Sequence, residues 1–200
     1  MIEIPEFPEL SFREEDHRYF LNGAEIPSVT SLMKPLSNEF YKEVSPEILN
    51  KAANRGTIVH NACENYALYG VEDICPEYAG YFAAFLNWWN ENNPSPLATE
   101  VKVYHRILRY AGKADLLCLI NGRVTLVDYK TSSQVNKMLC GVQLEGYDRA
   151  FESHGIKIED RLILHLCRNG LYSAVPFEKS SKRWSVFSAL LTIRNYMNEF

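Results

Sequence analysis

Residues 111–130 read AGKADLLCLINGRVTLVDYK. At the centre, Asn121-Gly122 is the dipeptide that most strongly specifies a two-residue hairpin, because both turn residues must take φ > 0. Apolar, partly β-branched runs flank it, LLCLI before and VTLV after, as two buried strands require. Pairing Ile120 with Arg123 fixes every later pair. Leu119 then faces Val124, Cys118 faces Thr125, Leu117 faces Leu126, Leu116 faces Val127, and Asp115 faces Asp128. Opposed residues hold their Cβ atoms roughly 4.5–5.5 Å apart, where like charges are destabilising. Two carboxylates so placed are natural ligands for a hard divalent cation such as Mg²⁺ or Mn²⁺. Lys130 lies two residues beyond Asp128, so alternation puts it on the same face. Two carboxylates and an ammonium at the end of a buried hairpin suit metal-assisted phosphodiester hydrolysis. Lys130 would orient the attacking water or offset charge on the phosphorane. A bulge would break this register.

Asp115, followed across a hairpin by Asp128-Tyr129-Lys130, resembles the active-site signature of the PD-(D/E)XK nuclease superfamily. Gln143-Leu144-Glu145-Gly146-Tyr147 matches the QxxxY motif of its RecB-like branch, and Arg55-Gly56-Thr57 with His60 matches that branch's first motif. The resemblance implies an α/β fold with a restriction-endonuclease-like core, a central mixed β-sheet flanked by helices. It implies a Mg²⁺- or Mn²⁺-dependent DNA nuclease, foremost a phage-type exonuclease in recombination, repair or DNA processing. Its metal ligands would be Asp115, Asp128 and the Tyr129 carbonyl, completed by His60 and Glu100. Lys130 would aid the nucleophilic water, Gln143 would position Lys130 or a phosphate, and Tyr147 would bond the scissile region. Arg55 and Thr57 would lie on the DNA. A structure- or sequence-specific endonuclease of the same fold is the alternative, and a catalytically silent binding or assembly module is a third. The partners implied are DNA, single-stranded or as duplex ends, and a phage or host recombination protein. Some members of the family hold an iron–sulfur cluster through one early and three late cysteines. The late cluster is missing here, so no such cofactor is expected.

With 200 residues the chain can bury a sizeable core, and 46% hydrophobic with 23% charged residues is ordinary for a globular protein. No apolar run approaches the roughly 18 residues that span a bilayer. The N-terminus MIEIPEFPEL is acidic and proline-broken, unlike a signal peptide, and the expected location is the cytoplasm, that of the bacterial host if the protein is phage-encoded. The cysteines at 63, 75, 118, 140 and 167 form no CxxC, so neither a zinc site nor a disulfide framework is indicated. A net charge of −4 counts mildly against nucleic-acid binding, although a local basic channel can sit on an acidic protein.

Outward from the hairpin, residues 18–29 carry a second Asn-Gly turn and predict a small N-terminal hairpin. In the following Ser28-Val29-Thr30-Ser31, Thr30 and Ser31 would either offer hydroxyls to phosphate or belong to the cap of the next helix. Residues 46–69 predict a long helix entered through Ser45-Pro46. Gly56 is costly in its middle, which predicts close backbone packing. His60 and Glu64 share a face, as a ligand and its support or as a surface pair. Residues 76–92 predict a helix with Tyr78, Phe82, Phe85, Leu86 and Trp89 inward. Residues 98–105 alternate as a strand carrying Glu100, with His105 and Arg106 at its far end as phosphate-contact candidates. After Lys130, Thr131 and Ser132 would bind phosphate or cap the helix at about 135–154, which bears Gln143 and Tyr147 one turn apart. A second core hairpin over 161–168 and 171–178, around a third Asn-Gly, and a last helix over 181–198 complete one domain. Residues 1–45 form its N-terminal hairpin and short helix, and 46–200 its nuclease core.

Overall fold

The computed structural model describes residues 4–197. The central hairpin forms as the turn dictates. Asn121 and Gly122 take φ of 52° and 76°, joining β5 (Ala111–Ile120) to β6 (Arg123–Lys130). To number the preceding elements, a small antiparallel sheet holds β1 (Leu10–Arg13), β2 (Arg18–Leu21) and β3 (Ala24–Ile26). The expected Asn22-Gly23 hairpin is therefore two of three strands; β1 pairs with β2 from Leu10↔Leu21 to Arg13↔Arg18. Two short helices, α1 (Val29–Leu32) and α2 (Lys34–Phe40), lead to the long α3 (Pro46–Tyr69), then α4 (Ala79–Asn92). A second sheet runs in the order β4 (Ser95–Tyr104), β5, β6, β7 (Asp160–Leu166), β8 (Tyr172–Pro176). Only β6 and β7 are parallel, and the crossover this requires is α5 (Lys137–Glu152). The last helix, α6, is Ser181–Met197; its expected end at 198 lies outside the described residues, as do the first three residues of the N-terminus. The chain is thus a mixed five-stranded sheet flanked by helices, with a separate three-stranded sheet.

Two cores sandwich the large sheet. Val59, Cys63, Phe85 and Trp88 of α3 and α4 pack on Leu116, Cys118, Val127 and Tyr129. On the other face Leu144, Tyr147, Phe151 and Phe187 of α5 and α6 pack on Leu117, Leu126 and Ile163. A third cluster ties Tyr19, Leu21 and Ile26 of the small sheet to Tyr104 and Ala111. No described helix is long and apolar enough to cross a membrane.

Several local expectations are corrected. Residues 76–78 form a single 3₁₀ turn before α4 begins at Ala79. Trp88, not Trp89, is the fully buried tryptophan of α4. Asn136 caps α5 through the Met138 and Leu139 amides, so Thr131 and Ser132 are not its cap. The third Asn-Gly is no two-residue turn: of the two only Gly170 takes positive φ, β7 and β8 are joined by the longer stretch 167–171, and the Leu171 amide donates to the Asn169 side-chain oxygen. Gly56 is not closely packed, since a Cβ there would meet nothing within 4 Å.

Candidate metal centre

The register Ile120↔Arg123 through Leu116↔Val127 is the one the sequence dictates, and there the ladder stops. Asp115 and Asp128 form no ladder pair. Instead the Tyr129 amide donates to Asp115 Oδ2 at 2.6 Å, while Asp128 goes on to pair with Ile163 of β7. The same break crosses the neighbouring strand. Thr99↔Leu116 and Val101↔Ala114 are paired, but Glu100, which lies between them opposite Asp115, is not. Glu100 takes φ of 45°, the left-handed region, inside a strand. A non-glycine residue there carries a cost of order 1–3 kcal/mol. Side-chain alternation slips at this level too. Leu116 belongs to the core under α3 and α4, yet Ala114 belongs to the core under α5. Three carboxylates from three adjacent strands thus occupy one row, and the row is where the backbone ladder gives way. The Asp115–Asp128 opposition read from the sequence is therefore not realised as a regular ladder pair.

The gap admits residues from both helical layers. From α3, His60 Nδ1 reaches Asp115 Oδ1 at 3.4 Å, its ring edge-on to the buried Tyr129 ring. From α5, Gln143 Nε2 donates to Asp128 Oδ1 at 3.0 Å and to the Tyr147 hydroxyl at 3.3 Å. Lys130 Nζ pairs with Asp128 Oδ2 at 2.5 Å. Gln143 and Lys130 thus contact the two oxygens of the same Asp128 carboxylate. Glu100 pairs with the Lys113 ammonium, a partner the sequence reading did not single out, although Lys113 stands two residues before Asp115 on the same strand.

Electrostatics follow from this packing. Burial pushes the Asp115 carboxyl up, but the His60 charge and hydrogen bond, Lys130 and the Tyr129 amide together hold it below the ordinary range. Asp128 goes the other way: burial raises it, Lys130 opposes, and the neighbouring Asp115 charge adds to the rise. For His60, burial alone would lower the pKa, and the Asp115 charge reverses that, leaving it raised. Burial likewise works against the Lys130 charge, and Asp128 and Asp115 outweigh it, so the ammonium is held protonated. Glu64 is raised by burial first and by the Glu100 charge second, which places it beside the row rather than in it.

His60, Glu100 and Asp115 can each turn one ligand atom so that all lie within 4.8 Å of one another. One imidazole and two carboxylates make a donor set for a divalent ion of the Mg²⁺ or Mn²⁺ kind. Asp128 stands outside that trio because Lys130 and Gln143 hold it. Asp115 belongs to this trio, and Asp128 of the expected Asp115/Asp128 pair lies next to it on β6, in contact with Lys130 and Gln143. Its buried Oδ2 is the oxygen that faces the Lys130 ammonium. Tyr129 brings only its backbone to this point; its ring is sealed among Phe85 and the α3–α4 core.

The remaining candidates divide. Arg55 Nε donates to Thr131 Oγ1 at 3.3 Å, tying α3 to the segment after β6. Thr30 and Ser132 line a cleft of about 230 Å³ that opens beside Lys130 and Gln143. Ser31 is spent on a capping box with Ser28, and Thr57 donates to the Ala53 carbonyl of its own helix. His105 accepts the amides of Ile107 and Leu108 and stacks on Trp184, away from the carboxylate row, and Arg106 donates its amide to Ser153.

No family model and no curated protein matches this sequence. Among solved structures, SSO0001 is similar over 83% of this chain and 74% of its own, at 15% identity and a TM-score of 0.47. An alkaline exonuclease from Laribacter hongkongensis, LHK-Exo, in complex with dAMP, is similar over 74% of this chain and 86% of its own, at 14% identity and a TM-score of 0.45. A second structure of LHK-Exo covers the same shares at 11% identity and a TM-score of 0.40. At such scores and identities these likenesses assign no activity to this chain.

Proposed function

We propose that the chain is a divalent-metal-dependent DNA nuclease of the PD-(D/E)XK type, RecB-like branch, acting as an exonuclease. The observation that carries the reading is the interrupted row Glu100, Asp115, Asp128, met by His60 from one layer and by Lys130 at its end. A fold built for stability alone does not place three carboxylates across adjacent strands and give up ladder pairs to keep them.

His60, Glu100 and Asp115, with Asp128 and the Tyr129 carbonyl, would hold a Mg²⁺ or Mn²⁺ ion, which would supply polarisation of a phosphoryl oxygen and acidification of water. The protein's own residues do the rest. Lys130, beside the Asp128 carboxylate, orients the attacking water or offsets charge as the phosphorane develops. Gln143 fixes the Asp128 carboxylate, and Tyr147 fixes Gln143 from the buried side. Thr30, Ser132, Thr131 and Arg55 offer hydroxyls and a guanidinium to the flanking phosphates.

The test is incubation with linear and closed circular DNA, and with RNA, in Mn²⁺. Loss of linear DNA alone is the expected result. Cleavage of closed circles would make it an endonuclease, selective loss of RNA would change the substrate, and loss of neither would mean a silent module on the same scaffold.

A further inference from the structure

Four carboxylates gather beyond the end of the hairpin ladder. Asp115 and Glu100 can share an ion with His60, and Asp128 lies beside them on β6. Glu64 stands one turn beyond His60 on α3, near enough that the Glu100 and Lys113 charges both act on it. Lys130 pairs with Asp128. The Lys113 ammonium contacts Glu100 Oε2. Glu100 is therefore claimed twice, as a ligand of the candidate metal trio and as the partner of a cation that the chain itself carries. Two cations brought to one carboxylate repel each other, so metal uptake works against the Lys113 contact.

Of the two partners, Lys113 is the one placed to give way. Glu100 is set in the row by its own backbone, at φ of 45°, and only 16% of its side chain is exposed. The Lys113 side chain is 35% exposed, a long flexible stem with solvent beside it. Its ammonium also lies 5.6 Å from the centre of the Phe12 ring of the small sheet, within the range at which a cation is attracted to an aromatic face. Released from Glu100, it keeps a partner. Its cross-strand neighbour is Lys102, and like charges so opposed are destabilising. The ladder thus gives no reason for a lysine at 113, whereas Glu100 does.

We propose that Lys113 is a resident counter-ion of the metal centre: it holds Glu100 when no metal is bound and yields that carboxylate to the incoming divalent ion. This role rests on the metal-dependent nuclease reading and deepens it, by naming a residue that sets how tightly the centre takes its ion. Displacing the ammonium works against every ion that enters, so Lys113 weakens metal binding without being a ligand.

The test is Mn²⁺ titration calorimetry, with melting in EDTA and in Mn²⁺, on wild type, Lys113→Met, Lys113→Arg and Lys102→Met. Lys113→Met removes the competitor, and Mn²⁺ should bind about fivefold tighter, the scale of releasing one partly exposed ion pair. In EDTA this variant should melt below wild type, because Glu100 is left near Asp115 and Glu64 without a cation. In saturating Mn²⁺ the deficit should close, which loss of a merely structural contact would not do. Lys113→Arg keeps the charge on a group that can grip a carboxylate through two hydrogen bonds, and it should bind Mn²⁺ more weakly than wild type. Lys102→Met removes an equal charge from the neighbouring strand without touching Glu100, and affinity should stay within about twofold. Lys113→Met that binds Mn²⁺ no tighter than wild type, or Lys113→Arg that binds it no more weakly, would overturn the proposal, since Lys113 would then orient Glu100 for the ion. An equal gain in Lys102→Met would overturn it too, by making the effect one of general charge. Failure of the metal-centre reading looks different: wild type itself would show neither Mn²⁺ heat nor melting shift, and the proposal would fall with it.

Discussion

Lys130 is a partly buried ammonium whose charge is favoured because Asp128 lies against it and Asp115 stands near. Lys130→Met keeps most of the volume and removes the charge. Single-turnover cleavage should fall by a factor on the order of 10² or more, as loss of one electrostatic stabiliser typically does, while the Mn²⁺-induced melting shift persists. Turnover near wild type would remove Lys130 from the chemistry. His60 gives a prediction in pH. Its folded pKa is raised by Asp115 above its unfolded value near 6.5, so the imidazolium–carboxylate pair contributes fully below that value. The contribution is lost as pH rises through the folded pKa. In EDTA, urea midpoints should therefore decline as pH rises from about 6.5, and His60→Asn should flatten that decline. An unchanged slope in the variant would show that the pair contributes nothing. The proximity of Asp115, Asp128 and Lys130 was legible in the sequence because the turn sets the register up to Leu116↔Val127 and these residues follow directly beyond it. The pairing of Glu100 with Lys113 was not, because it depends on a left-handed backbone at Glu100 that alternation cannot foresee.

Among the elements, α5 serves both the site and the fold. One side presents Gln143 and Tyr147 to Asp128. The other buries Glu145 and Asp148, each 3.0 Å from Arg161 of β7. Glu145 lies inside the very motif whose ends the sequence reading used, and a motif's spacing says nothing about what its middle faces. Arg161→Met would leave two buried carboxylates short of a cation. It should cost about 3–5 kcal/mol by urea titration, the scale for breaking a buried pair. Asp148→Asn should cost much less, since Glu145 retains Arg161; equal losses would show that the two carboxylates do not share it. Helical glycines make a similar pair. Gly80→Ala drives a methyl into the Arg168 carbonyl and should destabilise by about 1–3 kcal/mol as α4 shifts off the β7–β8 loop. A neutral Gly80→Ala would mean that α4 can shift without cost.

For the molecule as a whole, the order of helices and strands along the chain was foreseeable from turn signals and periodicity, whereas the strand order, with its one parallel pair bridged by α5, was not. The end of the β5–β6 ladder short of Asp115 and Asp128 was not foreseeable, because a turn and a period of two carry a register onward until contacts from outside the hairpin interrupt it. Whether the ion sits with His60, Glu100 and Asp115 or between Asp115 and Asp128 is measurable. Metal that binds the folded state alone adds about 2.7 kcal/mol at a hundredfold excess over Kd, and the shift between EDTA and Mn²⁺ within one variant cancels that variant's own loss of stability. Glu100→Gln and Asp115→Asn should each lose most of the shift, because each removes a carboxylate of the cluster. Asp128→Asn should keep more of it, because Lys130 and Gln143 already engage that carboxylate; it should also lower stability in EDTA by leaving the buried Lys130 charge less well paired. If Asp128→Asn instead abolishes the shift while Glu100→Gln keeps it, the ion lies between the two aspartates and Glu100 only steadies Lys113.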